Sequence, residues 1–145
     1  MSSLPSAGPK RKGNRTVPTS GGVLDASVLL AAILNEMTVD EAAPWFVDAY
    51  LSTVNLSEVV ARLTDLGYGT DFIARGLIEL DVEVRPFDRA QAERAGLLRP
   101  LTRQLGLSFG DRACLALAAE LGRPAVTADR AWAKLDIGIP IELIR

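Results

Sequence analysis

Histidine is absent from this 145-residue chain, and cysteine occurs once. The first absence removes the usual nitrogen ligand for a transition metal and the usual neutral base at physiological pH. The second rules out an internal disulfide and points to a reducing compartment, with the cytoplasm as the default location. Without a histidine to pair with, Cys114 is read as a small buried residue of an Ala/Leu-rich helix rather than a nucleophile. Aromatics are only 6% of a composition that is 48% hydrophobic, so the core must be mainly aliphatic. The apolar run VLLAAIL is too short to span a bilayer. The proline-bearing N-terminus has no apolar stretch of the kind a signal peptide needs. No Gly-Lys-Ser/Thr phosphate loop and no EF-hand loop is present.

Charge is present but uneven. Residues 1–20 hold Lys10, Arg11, Lys12 and Arg15 and no acid, while the remaining twelve basic and eighteen acidic residues give the body −6. An acidic body argues against wide phosphate-backbone binding on a basic face, although a nucleic acid held by a cation and local arginines remains open. Residues 1–20 are expected to form a disordered, basic N-terminal tail. A solvated extension is preferred there to an arm touching nucleic acid. The remaining residues, 21–145, suit a single domain.

Hydrophobic patterning predicts strands at Val23–Asp25, Tyr50–Val54, Val82–Phe87, Ala125–Thr127 and Ile139–Leu143. Between them, helices are expected over Ser27–Glu36, 40–49, Asn55–Leu66, Thr70–Leu80, 88–105 with a break at Pro100, Gly110–Leu121 and 129–135. Alternating strands and helices imply a three-layer α/β/α sandwich around a mostly parallel sheet. Pro86 marks its strand as an edge or its end.

Four carboxylates fall where these strands run into helices: Asp25, Glu58, Asp111 and Asp129, in the texts VLDASVLL, STVNLSEVV, LSFGDRACLALA and VTADRAW. In a parallel sheet the carboxyl ends of the strands share one edge, so residues far apart in sequence can converge there. Each acid also has a purely structural reading. Asp25 suits an N-cap, Glu58 stands at capping-box spacing from Asn55, Asp111 at the same spacing from Ser108, and Asp129 can cap the helix bearing Trp132. Four carboxylates are nevertheless more than capping requires, because Ser, Thr or Asn would serve. Gathered together they would repel, and a hard divalent ion with oxygen ligands, Mg²⁺ or Mn²⁺, removes that cost. Such an ion permits hydrolysis without a histidine base. Arg112 is read as a surface arginine in preference to a phosphate contact. Trp45, Phe46 and Tyr50 are read either as a groove for a partner or as ordinary core.

Taken in order, the four texts resemble the PIN domain, and most closely the VapC-like ribonuclease toxins of type II toxin–antitoxin pairs, over about Val23 to Leu143. LSFGDRACLALA is the most specific piece. The resemblance implies an endoribonuclease that uses Mg²⁺ or Mn²⁺, with Asp25, Glu58, Asp111 and Asp129 as catalytic metal ligands and Ser27 and Thr127 as accessory hydroxyls. It also implies an RNA substrate, a cognate antitoxin and a homodimer. The tail is a departure, because family members usually begin almost at the first strand. A receiver domain would need a second acid beside Asp25, where Ala26 stands. A haloacid dehalogenase-like phosphatase would need one where Ser27 stands. The remaining alternative is a catalytically silent PIN-like module that binds protein or RNA.

Overall fold

The computed structural model describes residues 18–145. Most of the expected tail lies outside the described residues. At its end, Thr19 donates from its backbone N–H and its hydroxyl to the Glu142 carboxylate, at 3.2 and 2.6 Å.

Five strands, β1 (Val23–Leu24), β2 (Tyr50–Ser52), β3 (Glu83–Arg85), β4 (Ala125–Thr127) and β5 (Ile141–Leu143), form one sheet in the order β3-β2-β1-β4-β5. All four pairings are parallel. Pro86 follows the edge strand β3, where a missing N–H costs no ladder bond. Among the described residues, seven helices connect the strands: α1 (Ala26–Ile33), α2 (Val39–Ala42), α3 (Thr53–Asp65), α4 (Thr70–Leu80), α5 (Arg89–Leu97), α6 (Arg99–Thr102) and α7 (Phe109–Leu121). Short 3-10 turns cover Ala43–Phe46, Arg103–Leu105 and Arg130–Lys134. None of the described helices is long and apolar enough to cross a membrane.

Neighbouring residues of a strand point to opposite faces, and this divides the core in two. Leu24, Leu51 and Val126 pack with Val28 and Leu29 of α1, Val59 and Leu63 of α3, Ile73 of α4, and Trp45. Val23 and Ala125 pack on the other face with Cys114, Leu115, Leu117 and Ala118 of α7, and with Leu98, Leu107 and Trp132. Each fully buried aliphatic side chain contributes about 1.5–3 kcal/mol of transfer free energy, so both layers of helices are held by ordinary apolar burial. From Ala113 to Ala118 every residue of α7 is buried. The Cys114 thiol lies in this layer, directed at the Val23 carbonyl at 3.6 Å, as expected of a packing residue. Gly122 ends α7 in the left-handed region at φ 64, where a side chain would be strained.

Several boundaries differ from those read in the sequence, each for a local reason. The helix expected over 40–49 begins with a capping box between Thr38 and Glu41, then tightens into a 3-10 turn around Pro44 and ends at Phe46. The long helix expected to begin at Asn55 begins at Thr53, because Ser52 is the N-cap and accepts from the Val54 N–H. Pro100 divides the helical stretch 88–105, with α5 ending before it at Leu97 and Pro100 standing in the first turn of α6. The expected helix 129–135 is the 3-10 turn Arg130–Lys134. Trp45, Phe46 and Tyr50 do not form one cluster. Trp45 is core, and Tyr50 lies on β2 beneath the Arg85 guanidinium, 5.0 Å from its ring centre.

The topology fixes where a ligand can sit. From β1 the chain steps outward to β2 and β3, then returns to place β4 on the other side of β1. At such a reversal the connections on either side diverge and leave a crevice at the carboxyl ends of the two central strands, here β1 and β4.

Candidate active site

Asp25 follows β1 directly and caps α1, its side chain accepting the Val28 N–H at 3.3 Å. Thr127 ends β4, the neighbouring strand, and donates its hydroxyl to Asp25 Oδ2 at 2.5 Å. Ser27 donates to the other oxygen, Oδ1, at 2.5 Å. The two hydroxyls are themselves oriented by backbone: Ala128 N–H donates to Ser27 Oγ at 2.9 Å, and Asp129 N–H to Thr127 Oγ1 at 3.0 Å. Asp25 is thus held from both sides across the reversal point. Both expected accessory hydroxyls touch it.

Glu58 lies one turn into α3, after β2, and is not the capping-box partner of Asn55 as its spacing suggests. With the helix started by Ser52, Asn55 falls inside its first turn and is completely buried. Its amide donates to Glu58 Oε1 at 2.8 Å and to the Gly110 carbonyl at 3.0 Å, clamping α3 to the start of α7. Gly110 completes the joint. A Cβ there would collide with the Glu58 carboxylate, so only glycine lets that group lie against α7.

Because α7 precedes β4 and runs back across the sheet, its first turn returns to the same edge. Ser108 caps it in a capping box: Asp111 N–H donates to Ser108 Oγ at 3.2 Å, and Ser108 N–H to Asp111 Oδ2 at 2.9 Å. Asp129 caps the 3-10 turn after β4, accepting the Ala131 N–H at 3.0 Å. The capping readings of Asp25, Asp111 and Asp129 therefore hold. Arg112 is not a surface arginine; it is half-buried, with Nη1 donating to the Ala95 carbonyl at 2.9 Å and Nε buried without a protein partner.

Electrostatics connects the acids. Burial pushes the Asp25 carboxyl, only 4% exposed, up to about 6 from an ordinary 3.8; Ser27 and Thr127 oppose the rise and the charge of Asp111 adds to it. Glu58 is raised by burial, opposed by the Asn55 hydrogen bond and assisted by Asp111. Asp111 is raised by burial against its bonds to Ser108, with the Asp129 charge adding to the rise and Arg112 opposing it. Negative charge is in excess along this edge.

The donor set suits a hard cation: carboxylate and hydroxyl oxygens, no imidazole, and charge that a divalent ion would neutralise. The geometry is less advanced. Among the described residues, no three carboxylate or thiol groups stand together as an ion cage. The expectation that the four acids meet at one spot is met only as a shared edge, because Asp111 and Asp129 are turned onto their own caps.

Residues 22–138 match the model of the PIN domain family. The chain belongs to the PIN domain family. No curated protein matches it significantly. Among solved structures, VapBC-5, a member of the VapBC family of toxin–antitoxin systems from Mycobacterium tuberculosis, is 29% identical, with a TM-score of 0.55 over 88% of this chain and 99% of that one. VapBC2 from Rickettsia felis, bound to a DNA fragment from its promoter, is 18% identical with a TM-score of 0.67, covering 83% and 96%. DNA-bound VapBC from Salmonella typhimurium is 20% identical with a TM-score of 0.64, covering 88% and 100%. In these last two the likeness is one of fold.

Asn55 and Gly110 were not singled out from the sequence of this PIN domain. Gly110 did leave a signal, because a glycine in the first turn of an otherwise apolar helix costs up to about 1 kcal/mol against alanine and asks for a packing reason. Asn55 left none, since at a helix start the same residue reads as a cap.

Proposed function

We propose that this PIN domain is a metal-dependent endoribonuclease acting as the toxin of a toxin–antitoxin pair. The observation that carries the reading is Asp25. A buried carboxylate held by two hydroxyls at the reversal point of the sheet, and feeling the charge of Asp111, is costly for stability alone. Asp25 and Asp111 are assigned to hold Mg²⁺ or Mn²⁺, with Glu58 and Asp129 as supporting ligands or water-positioning groups. When bound, the ion supplies positive charge to phosphoryl oxygens and makes water a stronger acid. Ser27 and Thr127 keep both oxygens of Asp25 in place, and the Asn55 amide orients Glu58 against α7.

The toxin role draws support from VapBC-5, a member of a family of toxin–antitoxin systems, among the structural neighbours. A cognate antitoxin, an RNA substrate and a homodimer belong to the same proposal. A cavity of about 610 Å³ lies between α1, the Ala43–Phe46 turn and α4, lined by apolar residues such as Ile33, Met37, Phe46 and Phe72 and also by Arg75 and Glu79. It sits at the carboxyl end of α1, whereas Asp25 caps the opposite end. An antitoxin seated there need not touch the acids unless it also reaches round to their edge.

RNA cleavage with Mg²⁺ or Mn²⁺, compared between the native chain and Asp25→Asn, decides the matter. Metal-dependent cleavage that the variant loses supports the nuclease. Equal background in both supports a silent PIN-like binding module. Growth arrest on expression, relieved by Asp111→Asn, is the cellular counterpart.

A further inference from the structure

An aromatic pair stands at one end of the acidic edge. Phe109 is the first residue of α7, just before Gly110, and it is 50% exposed. The Phe87 ring, in the loop after β3, meets it edge to face, with centroids 5.5 Å apart and planes at 87°. Both rings are tethered. Phe87 N–H donates to Thr53 Oγ1 at 3.0 Å, tying its loop to the start of α3. The Arg112 guanidinium, anchored on the Ala95 carbonyl, lies 5.9 Å from the Phe109 ring centre. An exposed ring held in one orientation by a second ring and a cation has already lost much of the freedom that a stacking partner would otherwise have to freeze.

The sheet sets the distance to the acids. Along its carboxyl edge the order is β3 with Phe87, β2 leading to Glu58, β1 leading to Asp25, and β4 leading to Asp129. Neighbouring strands are about 4.8 Å apart, so the aromatic pair is roughly 10 Å from the end of β1. A base next to the cleaved phosphodiester can reach that far. Aromatic faces are what the bases of single-stranded nucleic acid stack on, beside cations that meet the backbone, and here the Arg112 guanidinium is the cation next to the ring.

We propose that Phe109, braced by Phe87, is the stacking platform for a nucleobase flanking the scissile bond of a single-stranded RNA. This rests on the ribonuclease reading above. It assigns Phe109 a positioning role and Phe87 the task of holding it.

The experiment measures KM and kcat with Mn²⁺ on a short single-stranded RNA for the native chain and for Phe109→Ala, Phe109→Leu and Phe109→Trp. A 2-aminopurine placed beside the cleaved bond reports stacking through its quenching, read with Asp25→Asn and with Asp25→Asn/Phe109→Ala. The platform predicts that alanine and leucine each raise KM roughly ten-fold or more and leave kcat nearly unchanged. Tryptophan should keep the native KM, and quenching should vanish in the double variant. Rescue by leucine would mean that only bulk matters and would overturn the platform. Native KM in all three variants, with or without an altered oligomeric state, would overturn it too while leaving the nuclease in place. Absence of cleavage and of RNA binding in the native chain would instead remove the ribonuclease reading, and the platform with it.

Discussion

Replacing Asp25 by asparagine should make the metal-free protein more stable at neutral pH. Burial holds the Asp25 carboxyl at about 6 in the folded chain against an ordinary 3.8. A raised pKa means that the native state favours the protonated form, so this group's contribution is complete below about pH 4 and is lost as pH rises through about 6. A difference of about two units corresponds to about 3 kcal/mol at neutral pH. Asparagine retains the shape and the capping oxygen for the Val28 N–H, and its amide can donate to one of the hydroxyls that Asp25 now accepts from. For a domain of this size, about 3 kcal/mol is worth roughly 10 °C in Tm. Thermal unfolding in a chelator, followed across about pH 4 to 8, should show the native chain losing more stability than the variant, in which only the raised Glu58 and Asp111 remain. At the acid end the two should melt together. Excess Mn²⁺ should then raise the native Tm, by about 2.7 kcal/mol of stability at a hundred times Kd, and leave the variant unmoved. A variant that melts below the native chain at neutral pH, or follows the same pH slope, would refute the claim that Asp25 is an ionised group held against its preference.

Two further substitutions probe the joint between α3 and α7. Gly110→Ala would normally strengthen a helix by up to about 1 kcal/mol, but here the new Cβ meets the Glu58 carboxylate. The end of that flexible side chain can swing aside, so denaturant unfolding should show little of the usual gain and the substitution should read out as weaker Mn²⁺ binding, whereas Gly96→Ala on α5, where nothing lies near the added atom, should be neutral or stabilising and leave Mn²⁺ binding unchanged. Asn55→Ala strips a donor from both Glu58 and the Gly110 carbonyl and should cost about 2–3 kcal/mol. Because the Asn55 bond holds the Glu58 pKa down, its loss should raise that pKa further, so half-maximal Mn²⁺ binding should move to higher pH in a titration.

Much of the fold was legible because α/β alternation is written in local pattern. Strand positions follow from runs such as AVT and YLS, and helix ends from Gly122 and Pro100. A helix start is harder to read when two capping residues stand close together. Ser52 and Asn55 both qualify; in the structure Ser52 Oγ accepts the Val54 N–H, whereas Asn55 is buried one turn further in, with its amide donating to Glu58 and Gly110. The same ambiguity gives Glu58, at capping-box spacing from Asn55, a capping reading that the structure does not bear out. The acids themselves were legible from their recurrence at strand ends, yet their recurrence could not show how far each is committed to a cap. Asp111 and Asp129 keep their own helical turns closed, and Asp25 has both oxygens engaged by hydroxyls. Capping and cation binding thus compete for the same side chains. A cation able to turn Asp111 away from Ser108 must supply more free energy than the cap does, about 1 kcal/mol for a single side chain, and relief of the repulsion that Asp111 shares with Asp129 and Asp25 works in its favour. For the proposed cation, the caps are therefore a small cost rather than a barrier.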